Sequence, residues 1–281
     1  MNISAPAPGI GEALDWARQY INIMEARILL RHTLGCTTAY LSAWPEKQLE
    51  KPVWHTFHHL VERRAAGEPI AYLTEVREFY GRNFTVTPSV LIPRPDTELL
   101  VELALAHADS EAPIHILDLG TGSGILAITL ALELPAADIT AVDRMHDALD
   151  IAMLNAAHLN APVTFILSDW FSGLGGLRFQ LIVANPPYIA ASDPHLEQGD
   201  LRFEPASALA SGPAGLDDLI EIITQAPHFL EPRGWLFVEH GYDQAYAVRS
   251  LLTDAGFCAI TSWKDLAGIE RVSGGCWLGH P

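Results

Sequence analysis

From Ile114 onward the chain alternates short apolar runs rich in Val, Ile and Leu with longer segments of helical periodicity, and this alternation restricts its fold more than any other feature. "IHILDLG", "DITAVDR", "VTFILSD", "FQLIVAN" and "GWLFVEHG" read as strands. "ILAITLALEL", "HDALDIAMLNAAHLN", "GLDDLIEIITQAPHFL" and "DQAYAVRSLLTDAG" read as helices. Strands separated by helices pair mostly in parallel, and the helices cover both faces of the sheet. The closing pair, "CAITSWKD" and "ERVSGGCWLG", has only a short loop between its members. A parallel crossover needs a dozen or more residues, so these two pair antiparallel or occupy separate positions.

The first seventy or so residues lack this alternation. Leu14, Ala17, Ile21, Met24, Ile28 and Leu29 recur at helical spacing, as do Val53, Phe57, Leu60 and Val61, with Pro45 and Pro52 between the two sets. A small all-helical domain is expected. His55, His58 and His59 have no companion ligand cluster, so a solvated helix face is expected there rather than a metal site. "EFYGRNFTVTPSVLIPRPDTE" is rich in aromatic and β-branched residues, with turn signals at Gly81-Arg82-Asn83 and Pro88-Ser89. It predicts a β-hairpin, with Asp96 or Thr97 capping a helix that begins near Glu98. The expected division is a helical domain over 1–76, a hairpin linker over 77–95 and an α/β domain over 96–281.

Nearly half of the residues are hydrophobic, 49% of 281, which is ample for a core. The most apolar stretch, Ile114 to Leu134, is interrupted by Asp118, Glu133 and three glycines and is no membrane span. The N-terminus lacks the basic start and apolar run of a signal peptide. Cys36, Cys258 and Cys276 are scattered without metal-ligand spacing, which suits a reduced cytoplasm. A net charge of -17 disfavours a partner held mainly through phosphates, so no direct nucleic-acid binding is expected. It suits a basic partner or a small cationic ligand.

"DLGTGSG" follows the first strand of the alternating region. Gly120, Gly122 and Gly124 let the backbone turn tightly and approach a ligand, and the next helix offers free N–H groups. The terminal Lys-Ser/Thr of a phosphate-cradling loop is missing. A dinucleotide fingerprint wants a small residue where Ile125 stands. The tighter G-x-G-x-G spacing is typical of sites for S-adenosylmethionine, which has no pyrophosphate. Asp143 ends the second strand and could accept both ribose hydroxyls of an adenosine. One strand later, Asp169 could accept from the adenine amino group and Trp170 could lie against the ring. All fall on the carboxyl edge, where such sheets bind ligands.

The fourth strand ends in Asn185-Pro186-Pro187-Tyr188 on the same edge. A rigid turn would explain the prolines but neither the amide nor the phenol beside a methyl donor. An amide or exocyclic amino nitrogen is a poor nucleophile, because its lone pair is delocalised. Two acceptors, one for each N–H, would hold it pyramidal with the lone pair aimed at a sulfonium methyl. The Asn185 side-chain oxygen and the Pro186 carbonyl are the candidates, on a loop stiffened by Pro186 and Pro187. Tyr188 offers a flat face for a planar amide or base.

"GEPIAYLTEVREFYGRNFTVTPSVLIPRPDTELL", "DLGTGSG", "NPPYIA" and "LEQGDLRFEPASAL" together resemble the HemK/PrmC protein-glutamine methyltransferases, from about Gly67 to the C-terminus. The resemblance implies a Rossmann-like class I S-adenosylmethionine-dependent methyltransferase domain, a seven-stranded mixed sheet, preceded by a small helical domain and a β-hairpin. It implies methylation of N5 of the glutamine in the Gly-Gly-Gln loop of bacterial class-1 peptide chain release factors, with S-adenosylhomocysteine as product. Asp118, Gly120, Thr121, Gly122, Ser123, Gly124, Asp143, Asp169, Trp170 and Asn185 would hold the donor. Asn185, Pro186, Pro187 and Tyr188 would hold the glutamine. A cytoplasmic, metal-free monomer is expected. The tetrapeptide alone would also suit adenine-N6 or guanine-N2 methyltransferases; the flanking "IPRPDTE" and "RFEP" point to glutamine. Arg94, Glu98, Arg202 and Glu204 are candidates either for shaping that pocket or docking the partner, or for internal salt bridges. Where relatives carry Glu-Ile-Gly this chain has Glu239-His240-Gly241, and His240 is expected to line the cleft without a catalytic role.

Overall fold

Alternate residues of the apolar runs face opposite sides of one sheet in the computed structural model, which describes residues 7–108 and 113–279. The described chain divides into two compact units. One is the N-terminal part up to Val76 together with Gln198–Phe203; the other is Arg77–Glu197 with the remainder from Glu204.

The first unit is helical: α1 Ile10–Ala17, α2 Ile23–Leu34, α3 Thr38–Ala43, α4 Lys51–Ala65 and α5 Ile70–Thr74. The apolar series from Leu14 to Leu29 does not run through one helix. Asn22 breaks it by accepting Met24 N–H on its side chain and starting α2. Gly35 ends α2 in the left-handed conformation. The buried face of α2 is therefore Ala26, Leu29 and Leu30, while Met24 and Ile28 are exposed. These side chains pack with Trp16, Trp54, Phe57, Leu60 and Val61 in one core. His58 lies in that core, stacked on Trp16 with ring centroids 4.4 Å apart. The solvated-face expectation thus fails for His58, because α4 turns that position toward Trp16; it holds for His55 and His59, which are exposed.

The hairpin β1 Val76–Phe79 and β2 Arg82–Thr85 starts at the boundary residue Val76 and from Arg77 belongs to the second unit. Its turn is Tyr80-Gly81, both with positive φ, one residue earlier than the glycine signal suggested. The hairpin is no free linker. Phe79 and Phe84 are buried in the core of this unit, and Tyr80 N–H donates to Glu98 Oε1 at 3.0 Å. A short 3-10 turn, Pro95–Thr97, leads into α6 Glu98–His107. Thr97 stands at the N-cap position of this helix, as expected, but its side chain makes no capping hydrogen bond.

The sheet and its helices follow: β3 His115–Leu119, α7 Ile125–Glu133, β4 Asp138–Asp143, α8 His146–Leu159, β5 Val163–Leu167 and β6 Phe179–Ala184. After them come α9 Asp217–Gln225, β7 Leu230–Glu239, α10 Ala245–Asp254, β8 Cys258–Lys264 and β9 Glu270–Trp277. The strand order is β5-β4-β3-β6-β7-β9-β8. All pairs are parallel except those of β9, which inserts antiparallel between β7 and β8. The short loop before β9 forces that reversal. Ile116, Ile139, Leu181 and Val183 face α6 and α7, whereas Leu117, Val142, Ile182 and Ala184 face α9 and α10. The strands read as continuous apolar runs because both faces are covered. The strand order reverses at β3, running outward through β4 and β5 on one side and through β6 and β7 on the other, and this switch point opens a crevice at the carboxyl edge.

Candidate active site

One cavity occupies that crevice. Its walls are the glycine loop after β3, the ends of β4 and β6, the segment after β5, and two straps, Ser89–Thr97 and Pro205–Ala208. Among the residues expected to hold a donor, Gly120, Thr121, Gly122, Ser123, Asp143, Asp169, Trp170 and Asn185 all line it.

The loop is braced from behind by Asp118. Its Oδ2 accepts from Thr121 Oγ1 at 2.6 Å and from Ala127 N–H at 3.2 Å, while Oδ1 is buried without a partner. Burial pushes this carboxyl up to about 7, against those two hydrogen bonds. Asp118 is wholly buried and off the cavity wall, so it supports the loop rather than facing a ligand. Gly124 is off the wall as well. A Cβ there would meet the Ile128 side chain at 2.7 Å and Ala152 at 3.2 Å, so this glycine serves helix packing. At Gly120 a Cβ would sit 3.2 Å from the Trp170 ring, which leaves no room for a side chain between loop and indole.

Asp143 accepts Gly122 N–H on Oδ2 and Met145 N–H on Oδ1, each at 2.9 Å. A carboxylate oxygen has two lone pairs, so each retains capacity for a ligand hydroxyl. Asp169 is exposed. Trp170 is nearly buried and holds a left-handed φ of 43°, unusual for a bulky residue. Ser168 Oγ donating to its carbonyl and the indole Nε1 donating to Asp218 fix that conformation.

Asn185 leaves β6 with Nδ2 donating to Thr97 Oγ1 at 3.1 Å. Pro187 lines the cavity, whereas Pro186 and Tyr188 do not. The Tyr188 ring packs against the core under α9 and α10, its hydroxyl donates to Glu239 Oε1 at 3.1 Å, and its carbonyl accepts from Gln244. Burial, then the Glu239 carboxylate, push the phenol far up, so it stays protonated. Glu239 is wholly buried and its carboxyl is pushed up to about 7 by desolvation, opposed by hydrogen bonding from Thr97 and then Tyr188. Its Oε2 has no partner at full hydrogen-bond geometry.

Arg94 and Glu204 form a salt bridge, and Glu204 Oε2 also accepts Ile92 N–H at 3.0 Å, so this pair ties the two straps together. Arg94 still reaches the cavity wall. Arg202 belongs to the helical unit, where it donates to the Ala66 carbonyl at 2.8 Å. His240 is not on the cleft. It is buried between the Gly241 carbonyl and Ser273 Oγ, and desolvation lowers its pKa. No cluster of His, Cys, Asp or Glu among the described residues could hold a metal ion, and none of their helices is long and apolar enough to cross a membrane. The sequence pattern does not mark Thr97, Glu239 or Asn155 as part of the site. Asn155 on α8 accepts Thr85 N–H and donates to the Thr85 and Ser123 carbonyls, joining hairpin to glycine loop. No local signal could find such residues, since their partners are 32 to 88 positions away for Asn155 and Thr97.

Residues 12–74 match the family described as PrmC N-terminal domain and residues 95–208 the methyltransferase small domain. Among solved structures, a methyltransferase from Pyrococcus furiosus superposes with a TM-score of 0.54 at 16% identity, over 78% of this chain and 98% of that one. A Thermus thermophilus 16S rRNA N2 G1207 methyltransferase, in complex with AdoMet and guanosine, gives 0.53 at 20% identity over 72% and 49%. These two speak for the fold. The chain is 48% identical to the release factor glutamine methyltransferase of Burkholderia pseudomallei over 98% of this chain and 99% of that protein. Against the same enzyme of Vibrio cholerae the figures are 49%, 97% and 96%, and against that of Escherichia coli 46%, 93% and 98%. With identity at this level running the length of both partners, the chain belongs to the release factor glutamine methyltransferase family.

Proposed function

We propose that this chain transfers a methyl group from S-adenosylmethionine to the side-chain amide nitrogen of the release-factor Gly-Gly-Gln glutamine. The observation that carries the chemistry is Asn185 at the cavity edge, its Nδ2 committed to Thr97 and its Oδ1 left to accept. The cavity residues fit the donor. Asp143 keeps lone pairs for two ribose hydroxyls, Asp169 is free for an exocyclic amino group, and the Gly120–Trp170 contact forms a flat apolar wall for adenine. When bound, S-adenosylmethionine supplies an electrophilic methyl carbon on a sulfonium. Asn185 Oδ1 accepts one amide N–H, and the carbonyl of Pro186, between the wall residues Asn185 and Pro187, accepts the other, so that the nitrogen is pyramidalised toward that carbon. No strong general base is required, because the methylated nitrogen is acidic while cationic and loses its proton to water.

The helical unit carries no ligand motif, and its role is to grip the body of the factor. The intact protein should then show a much lower KM for full-length factor than for a short Gly-Gly-Gln peptide, at similar kcat. The primary test is incubation with methyl-labelled donor and either purified release factor or total RNA. Label is expected on the factor's glutamine; label in RNA and none in protein would overturn the reading.

A further inference from the structure

A side-chain amide has a nearly symmetric outline, so shape does not decide whether its oxygen or nitrogen faces a cavity. For glutamine methylation the choice matters, because only the oxygen can accept a substrate N–H. Asn185 donates through Nδ2 to Thr97 Oγ1 at 3.1 Å. Thr97 is wholly buried, and its hydroxyl has one proton. That proton is left over for Glu239, whose buried Oε2 has no partner at full hydrogen-bond geometry and whose carboxyl the nearby Thr97 hydroxyl stabilises in its charged form. Ala184 and Val238 are register partners, so Asn185 and Glu239 stand side by side at the ends of β6 and β7. Glu239 Oε1 also receives the Tyr188 hydroxyl at 3.1 Å.

We propose that Glu239 is a positioning residue for methyl transfer, acting through Thr97 to lock Asn185 with its oxygen toward the substrate and directly to pin Tyr188. This role rests on the glutamine-methylation reading and deepens it. A carboxylate cannot donate, so Thr97 must donate to it and accept from Asn185. Protonation of Glu239 on the oxygen facing Thr97 would reverse the relay. Thr97 would accept from the carboxylic O–H, turn its own proton toward Asn185, and favour the flipped amide. The groups bearing on this carboxyl are Thr97 and Asp96 before α6, Tyr188 after β6 and Arg271 on β9. The neighbouring His240 turns its ring away, to Ser273 and the Gly241 carbonyl.

The test uses the full-length protein, methyl-labelled S-adenosylmethionine and full-length release factor. Glu239→Gln and Thr97→Val should each lower kcat on the order of a hundredfold and leave the calorimetric donor Kd unchanged. Thr97→Ser keeps the hydroxyl and should keep kcat. The double variant should be no slower than Thr97→Val alone, because both changes break one relay. Wild-type kcat should rise with pH through about 7, a limb that Glu239→Gln removes. Independently of activity, the 15N-labelled Asn185 side-chain resonance should titrate over the same range in the wild type and stay flat in Glu239→Gln and Thr97→Val. Undiminished kcat in Glu239→Gln, multiplicative losses in the double variant, or an Asn185 resonance indifferent to both changes would overturn the role. A wild-type protein that leaves the factor unlabelled while its Asn185 resonance still titrates would refute the substrate and uphold the relay.

Discussion

In the proposed reaction Asn185 separates donor binding from chemistry. It touches the cavity, yet most of the wall is made by the glycine loop, the ends of β4 and β5 and the two straps. Asn185→Ala should therefore leave donor affinity in a calorimetric titration little changed while kcat falls on the order of a hundredfold or more. Comparable turnover in that variant would remove Asn185 from the mechanism. Gly120 tests the opposite corner. Its φ is 70° and an added Cβ would lie 3.2 Å from the Trp170 ring. Gly120→Ala should cost about 1–2 kcal/mol of stability through the left-handed backbone. It should also weaken donor binding by shifting the indole, visible as a lower melting temperature and a higher donor Kd. Most of the cavity-lining residues were legible because they cluster at successive strand ends, which pattern alone can place. Gly124 and Asp118 stand in the same motif but off the cavity wall, because a tight loop needs packing and bracing beneath it as well as an open face above.

At the scale of elements, the hairpin is fastened rather than merely connecting. Asn155 joins β2 to the glycine loop by three hydrogen bonds across 70 and 32 residues of sequence. Asn155→Ala would leave the buried Ser123 carbonyl and the part-buried N–H and carbonyl of Thr85 unpaired, a loss of about 1–3 kcal/mol for each such group not rescued by water. The expected result is a lower urea midpoint and faster amide exchange at Thr85, with α10 protected as before. The hairpin was legible as a hairpin, from its aromatic and β-branched run. Its turn is displaced because Tyr80 takes a positive φ that its side chain ordinarily disfavours, leaving Gly81 in the second turn position. The break between α1 and α2 escapes the apolar pattern for a related reason. Hydrophobic spacing is blind to a cap such as Asn22 when the apolar series continues through it.

For the whole molecule, two wholly buried carboxyls shape the pH dependence of stability. Asp118 and Glu239 are each raised to about 7 from ordinary values of 3.8 and 4.5. A carboxyl raised on folding stabilises fully below its ordinary value and loses that contribution as pH rises through the folded value. Stability should thus fall between about pH 4 and 7. The loss should reach several kcal/mol, since each tenfold change in proton affinity on folding is worth roughly 1.4 kcal/mol. The net charge of -17 adds self-repulsion in the same direction. Asp193 and Asp265 are lowered by hydrogen bonds from His195 and Ile269 and act oppositely, only under more acid conditions. Guanidinium midpoints at pH 5 and 8 would check the sign, and Glu239→Gln should flatten the difference.

The sequence by itself determined the layered α/β architecture, the helical N-terminal part and the carboxyl-edge order of glycine loop, Asp143, Asp169-Trp170 and Asn185. Each of these follows from local periodicity, turn chemistry or strand order, and local information survives in a linear string. Only the tertiary structure decided that His58 is buried, that β9 inserts between β7 and β8, and that His240 turns from the cleft. It alone brought Thr97 to Asn185 and Tyr188 to Glu239, 88 and 51 residues apart in sequence. Such contacts depend on how a helix start and two strand ends meet in space, and no spacing along the chain encodes that meeting.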